Sequence, residues 1–162
     1  EFVARRTSFF PSIKATANHI LTVDRYYVDA IERSFAEQPP NPNAPAFFDP
    51  EEPFDRCADL SREQHAVDAR LVAVCKGLEG ADLERPIGVP RRQGVLHEPA
   101  VRLLSHLFEH QIHHRGQIHA MLVGTSVAPP QLDEFFCSNE AHLRERELAE
   151  LGTSEAEIWN AR

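Results

Sequence analysis

Ser105-His106-Leu107-Phe108-Glu109-His110-Gln111-Ile112-His113-His114-Arg115-Gly116-Gln117-Ile118-His119 holds five of the chain's nine histidines. On a helix, residues four apart stand on one face, one turn above the other. His110 and His114 form such a pair, so two imidazoles point the same way at a separation one metal ion can bridge. The stretch belongs to a predicted helix running from about Pro99 to Val123, with Pro99 suited to a first turn and Gly124 to a C-terminal stop. Taking His110 as zero, at about 100° per residue, Leu103 and Met121 fall near +20°, His114 near +40°, Leu107 near +60° and Gln117 near −20°. The pair therefore interrupts an apolar stripe and is expected to face the interior. His106 and His113 sit on the shoulder of that face, and His119 opposite it. His106 and His110 are also four apart, so the helix offers two overlapping clamps.

Working outward, Ser12 to about Glu37 is also helical. Ala15, Val23, Tyr26 and Ala30 share a face with His19, Pro11 precedes the start and Pro39-Pro40 ends it. Residues 39–56 carry six prolines with Phe47, Phe48 and Phe54, a long Pro-rich loop that serves either as a lid or as a plain connector. A further helix is predicted from about Ser61 to Leu78. Ser61 and Gln64 read as a capping box, Val67, Leu71, Val74 and Leu78 as its buried face, and Val72 and Cys75 as flanking that face. Pro86, Gly88, Pro90 and Gly94 between apolar residues in 83–97 suggest a short hairpin before the histidine helix. Pro129-Pro130-Gln131-Leu132-Asp133 reads as a loop, followed by a helix from about Asp133 to Leu151 and a short one near Ser154 to Asn160. Long helices with almost no strand pattern give an all-α fold, most simply a helical bundle.

Composition fixes the class. The 162 residues suffice for a single domain with one core, 42% are apolar and 26% charged, and the net charge is −8. An acidic chain without a basic cluster is not expected to bind nucleic acid. No apolar run reaches the ~18 residues a membrane span needs. Cys57, Cys75 and Cys137 are odd in number and widely spaced, which reads as free thiols. No signal peptide is visible in a chain that begins at Glu1, so a cytoplasmic protein is expected.

Two imidazoles are half a site. His19, central on the inner face of the first helix, is the natural third ligand. Three neutral imidazoles with an open position make a catalytic type of centre. The bland alternative is a set of buried histidines bonded to one another. His65 and Asp68 read as a solvated helical face, and His97 and His142 lie near element ends. There is no H-E-x-x-H for a zincin, no repeated E-x-x-H for a ferritin-type di-iron centre and no G-x-S-x-G elbow.

Asn18-His19-Ile20-Leu21 with Asp24-Arg25, His106-x-x-x-His110-x-x-x-His114-Arg115-Gly116-Gln117, and Pro129-Pro130-x-Leu132-Asp133 occur in that order over roughly residues 8–136. Together they resemble the motifs of the DinB/YfiT-like proteins. The resemblance implies an up-down-down-up four-helix bundle, a mononuclear divalent metal held by His19, His110 and His114, and a homodimer. It also implies a metal-dependent transferase, isomerase or hydrolase acting with low-molecular-weight thiols such as bacillithiol or mycothiol. Zinc, nickel, iron and manganese are not distinguished by such a donor set. Family members carry a full helix before the Asn-His motif, whereas only residues 1–10 precede it here. The expectation is that the chain shown lacks part of the first helix or that another helix fills its place. If the bundle is short of one helix, the C-terminal helix or a dimer partner must cover the exposed apolar face.

In the expected mechanism the ion activates a small thiol or water to attack an electrophile, with His113 and Tyr26 as candidates for proton transfer or substrate orientation. Arg115, turned away from His110, is expected to pair with a carboxylate at the bundle edge or at a dimer contact. The competing reading is a non-catalytic metal- or small-ligand-binding stress-response protein. A purely structural bundle with unmetallated histidines comes third.

Overall fold

The computed structural model describes residues 1–129, 137–150 and 152–160. It divides into two compact units, residues 1–127 and 128–162. Most of the first unit is built from α1 (Ile13–Phe35), α2 (Cys57–Gly77) and α3 (Ala100–Leu122), with one antiparallel hairpin of β1 (Pro86–Arg91) and β2 (Gly94–Pro99).

α1 starts where Ser12 Oγ accepts the amide of Ala15 at 3.0 Å, the ordinary way to satisfy a free donor in a first turn. It stops at Glu37, whose φ of 55° lets Gln38 N–H reach back to Arg33 O at 2.8 Å before Pro39. α1 is buried on nearly every side. Leu21, Val28 and Ile31 are at 0–1% exposure, and so are the polar Thr16, Asn18 and Asp24. Around it pack Leu107 of α3, Ile87 and Val89 of β1, and Leu60, Val67 and Leu71 of α2.

Side-chain pairs fix the helix directions. Asp24 meets Gln64, Arg25 meets Glu63 and Glu32 meets Arg70, so partner numbers rise together and α1 and α2 run parallel. His19 meets His110 and Tyr27 meets His106, so α3 runs antiparallel to α1. A parallel pair requires residues 36–56 to travel back the length of the bundle, which is the task of the Pro-rich loop. It contains a 3-10 turn at Ala44–Phe48. Its end is stitched to α1 by Asn18, which donates to Phe54 O at 2.9 Å and accepts from Phe54 N–H at 3.0 Å.

Several sequence expectations need correcting. α2 begins at Cys57 rather than near Ser61, so Ser61 is an interior residue whose carbonyl receives His65 Nδ1–H at 2.7 Å, and no capping box forms there. Val72 is half exposed rather than beside the buried face. The buried side of α3 is centred near +60° from His110, through Leu103, Leu107, Gln111 and His114, so His106 and His113 are exposed. The strands extend to Pro99, beyond the expected end of the hairpin. Residues 1–12 hold no helix. They run as irregular chain, with Arg6 N–H bonded to Pro11 O and Lys14 N–H to Phe2 O. Within residues 1–127, Val101, Phe108 and Ile112 on α3 are exposed apolar residues.

In the second unit, a 3-10 segment at Ser138–Arg144 leads into α4 (Glu145–Glu150), and α5 (Glu155–Asn160) follows. Arg144 and Glu155 form a two-point ion pair there. The helix expected from Asp133 is thus α-helical only from Glu145 among the described residues. The loop expected at Pro130–Asp133 lies outside them. No helix among the described residues is long and apolar enough to cross a membrane.

Candidate metal centre

His19 lies in the second turn of α1, and His110 and His114 lie one turn apart on α3. Because the two helices are antiparallel and pack directly, all three imidazoles meet. One ring nitrogen from each lies within 4.8 Å of the other two. The closest approach is 3.0 Å, between Nε2 of His19 and Nε2 of His110. Ring centroids are 4.9 Å (19–110), 4.7 Å (19–114) and 4.4 Å (110–114) apart. A tetrahedral ion with metal–nitrogen bonds of about 2.0–2.1 Å asks for nitrogens roughly 3.3 Å apart. The tightest pair must open, and the widest close, by rotamer-scale adjustments, so the donor set fits one divalent ion.

Protonation favours ligation. Burial, with the nearby His114, lowers the pKa of His19. His110 is pushed down to about 4, first by burial and then by the surrounding histidines. Both rings are therefore neutral near pH 7, the form that offers a lone pair. His114, 6% exposed, gives its Nδ1–H to Gln117 Oε1 at 2.9 Å. That bond assigns the proton to Nδ1 and leaves Nε2 as the donor atom, the usual service of an outer partner to a ligating imidazole. His110 Nδ1 is buried without a partner, so only neighbouring rings hold that imidazole. Phe10 covers one side, its ring 4.5 Å from His19 and 5.5 Å from His114.

The other sequence candidates lie around this point at different ranges. His106 is exposed, its ring rests against Tyr27 at 5.3 Å, and it is not part of the three-histidine group that could hold an ion. His113 is exposed, 4.8 Å ring to ring from His114, and its Nε2 accepts from Gln117 Nε2 at 3.1 Å. Tyr26 is not brought to the trio. Its hydroxyl donates to Pro90 O and accepts from Arg91 Nη1 at 2.8 Å, at the junction with the hairpin. Burial raises its pKa. Arg115 donates to Gln111 Oε1 at 2.7 Å and forms no ion pair among the described residues.

The sequence reading missed Asp24 as an interior charge. It is 1% exposed, and Oδ2 accepts from Gln64 Nε2 and Gln111 Nε2, each at 2.8 Å. Oδ1 has no partner, and neither does Gln64 Oε1. Burial raises the Asp24 pKa to about 6 against the pull of the two amides; Asp68 raises it further and Arg115 lowers it. Its one sequence signal was its place in the Asp24-Arg25 segment shortly after His19.

The fold and the trio define a class: a helical protein whose packed helices carry a three-histidine group able to hold a metal ion. The chain belongs to the DinB family, whose sequence profile matches residues 1–147. No curated protein and no solved structure matches it.

Proposed function

We propose that this DinB-family chain is a metalloenzyme, an S-transferase, isomerase or hydrolase that works with a low-molecular-weight thiol. Its divalent ion would be held by His19, His110 and His114. The convergence of three ring nitrogens within 4.8 Å carries this reading. An ion bound there supplies Lewis acidity, which lowers the pKa of a thiol or water enough for it to react near pH 7. The chain's own residues do the rest. Neutral His19 and His110 present lone pairs without first shedding protons. Gln117 holds the His114 tautomer. Phe10 keeps water off one flank. His113, exposed beside His114, would accept the thiol proton at Nε2 once Gln117 gives up its bond to that atom. Tyr26 holds the hairpin to α1, and any contribution it makes to substrate orientation passes through Arg91.

The parallel α1–α2 pair followed by antiparallel α3 supports the down-down-up portion of an up-down-down-up four-helix bundle. The exposed Val101–Phe108–Ile112 face supports a homodimer. Free Cys57, Cys75 and Cys137 support a reducing compartment, the cytoplasm.

The test is elemental analysis of protein prepared without chelator, then thiol-depletion assays over a panel of cellular thiols and electrophiles, comparing wild type with His114→Ala. The expected result is one ion per chain and thiol consumption, both lost in H114A. A protein free of metal in every preparation overturns the proposal. Bound metal with no turnover for any pair replaces it with the non-catalytic binder.

A further inference from the structure

A cleft of about 320 Å³ opens between the N-terminal segment and the end of α3, lined by Arg6, Thr7 and Ser8 on one side and Gln117, Met121 and Gly124 on the other. None of the three histidines lines it. Gln117 does, and the same side chain bonds His114 Nδ1, so the cleft begins one residue from the candidate metal centre.

Arg6 is the unusual member. Among the described residues its guanidinium reaches only two backbone carbonyls, Gly124 O and Glu1 O, both at 3.4 Å. Its Nε is buried and has no acceptor. Among the described residues no carboxylate forms an ion pair with it. Glu1, which feels the Arg6 charge, gives its carboxylate to Ser126 N–H and Oγ–H. A guanidinium has five N–H donors in a planar fork. Glu1 is thus a near but not a bonded counter-charge, and the guanidinium at the wall of the cavity keeps N–H donors for a ligand. Gly124 makes room for it, since a Cβ there would stand 3.3 Å from Arg6 Nη1.

We propose that this cleft is the carboxylate subsite of the substrate, with Arg6 as the counter-ion. The inference rests on the proposed function, because it names the class of molecule that the trio acts on: a small thiol or electrophile bearing a carboxylate. The Nη1–Nη2 edge of a guanidinium matches the two oxygens of a carboxylate, and in Arg6 these are the atoms on the exposed side. One guanidinium balances one negative charge, which suits a carboxylate better than a phosphate dianion. The Thr7 and Ser8 hydroxyls and the Gln117 amide add neutral hydrogen-bonding capacity, and Met121 supplies an apolar wall. The volume is at the lower end of the range for small-molecule sites.

The experiment is an NMR titration of the isotope-labelled chain, following Arg6 Nε–H and the Gln117 side-chain amide. Three probes are compared: N-acetylcysteine, its neutral amide, and inorganic phosphate. The acid is expected to shift both signals and to bind about tenfold more tightly than the amide, the usual advantage of a charged hydrogen-bond partner. Arg6→Gln is expected to remove that preference. Equal binding of acid and amide to the wild-type chain overturns the proposal without any variant having to fold. So does a preference that survives R6Q, or phosphate binding more tightly than the acid. Repeating the titration on metal-free His114→Ala separates the two readings. An acid preference that persists there shows the subsite to be independent of the ion; the same preference in a wild-type chain that binds no metal in any preparation keeps the subsite and removes the metalloenzyme. Metal loading without acid preference does the reverse.

Discussion

Asp24→Asn should make this protein more stable at neutral pH, although it removes a charge that two amides solvate. Asp24 is 1% exposed and keeps its proton up to about pH 6 instead of the ordinary 3.8. Below 3.8 the carboxyl is protonated in both folded and unfolded chains and costs nothing. Between 3.8 and 6 the folded chain binds more proton than the unfolded one, so stability falls as pH rises. Above 6 the cost is constant. A shift of about two units corresponds to about 3 kcal/mol. Asparagine is isosteric with the neutral acid. Its carbonyl can accept from Gln64 and Gln111, and its NH₂ takes the place of the partnerless Oδ1, where Gln64 Oε1 also lacks a donor. D24N should therefore match the parent below about pH 4 and exceed it by about 3 kcal/mol at pH 8. Urea unfolding in the presence of a chelator, from pH 4 to 8, measures this. The lowered pKa values of His19 and His110 add a slope of opposite sign, since stability lost as pH falls belongs to depressed bases. That slope is common to both proteins and cancels in the difference. A D24N protein less stable than the parent at pH 8, or one whose advantage does not grow with pH, would refute the claim that Asp24 is held against its charge.

Gln117→Ala removes the acceptor of His114 Nδ1–H and should weaken metal binding about 10- to 100-fold, read by competition with a chromophoric chelator, while the melting temperature changes little. Asn18→Ala breaks both bonds to Phe54 and should cost about 2–3 kcal/mol, with faster hydrogen exchange at the Phe54 amide. Tyr26→Phe should cost about 1 kcal/mol through the lost hairpin contact and leave metal content unchanged; loss of metal would place Tyr26 in the site after all. Leu107→Ala, at a position with 0% exposure, should cost about 2–5 kcal/mol in urea unfolding.

What could be read from the chain follows from periodicity. His110 and His114 share a face at any helical register, and His19 sits at the centre of the inner stripe of α1, so their meeting needed only antiparallel packing. The Gly and Pro pattern marked the hairpin because those residues act locally. Asp24 and Gln111 escaped because a helical wheel assumes one buried side, whereas α1 is enclosed by α2, α3, the hairpin and the loop, so polar residues away from the His19 stripe are interior too. Each is legible only through the other: Gln111 is buried because it bonds Asp24. Ser61 misled because a capping pair inside a helix looks the same as one at its start. Arg6 and Phe10 lie in a segment with no repeat, and only the folded chain brings them to α3.

Because α1 and α2 run parallel, their pairing cannot nucleate from a tight turn; the chain between them must first close a long loop, at an entropic cost that grows with the logarithm of its length. The meeting of His19 with His110 spans 91 positions and is later still in any sequence of local to distant contacts. Among the described residues only the β1–β2 hairpin can zip on its own, and it delivers Pro99 directly to the first turn of α3. Assembly should thus run from the hairpin and isolated helices toward the histidine meeting point. A cation captured there would act as a late cross-link, slowing unfolding far more than it speeds folding.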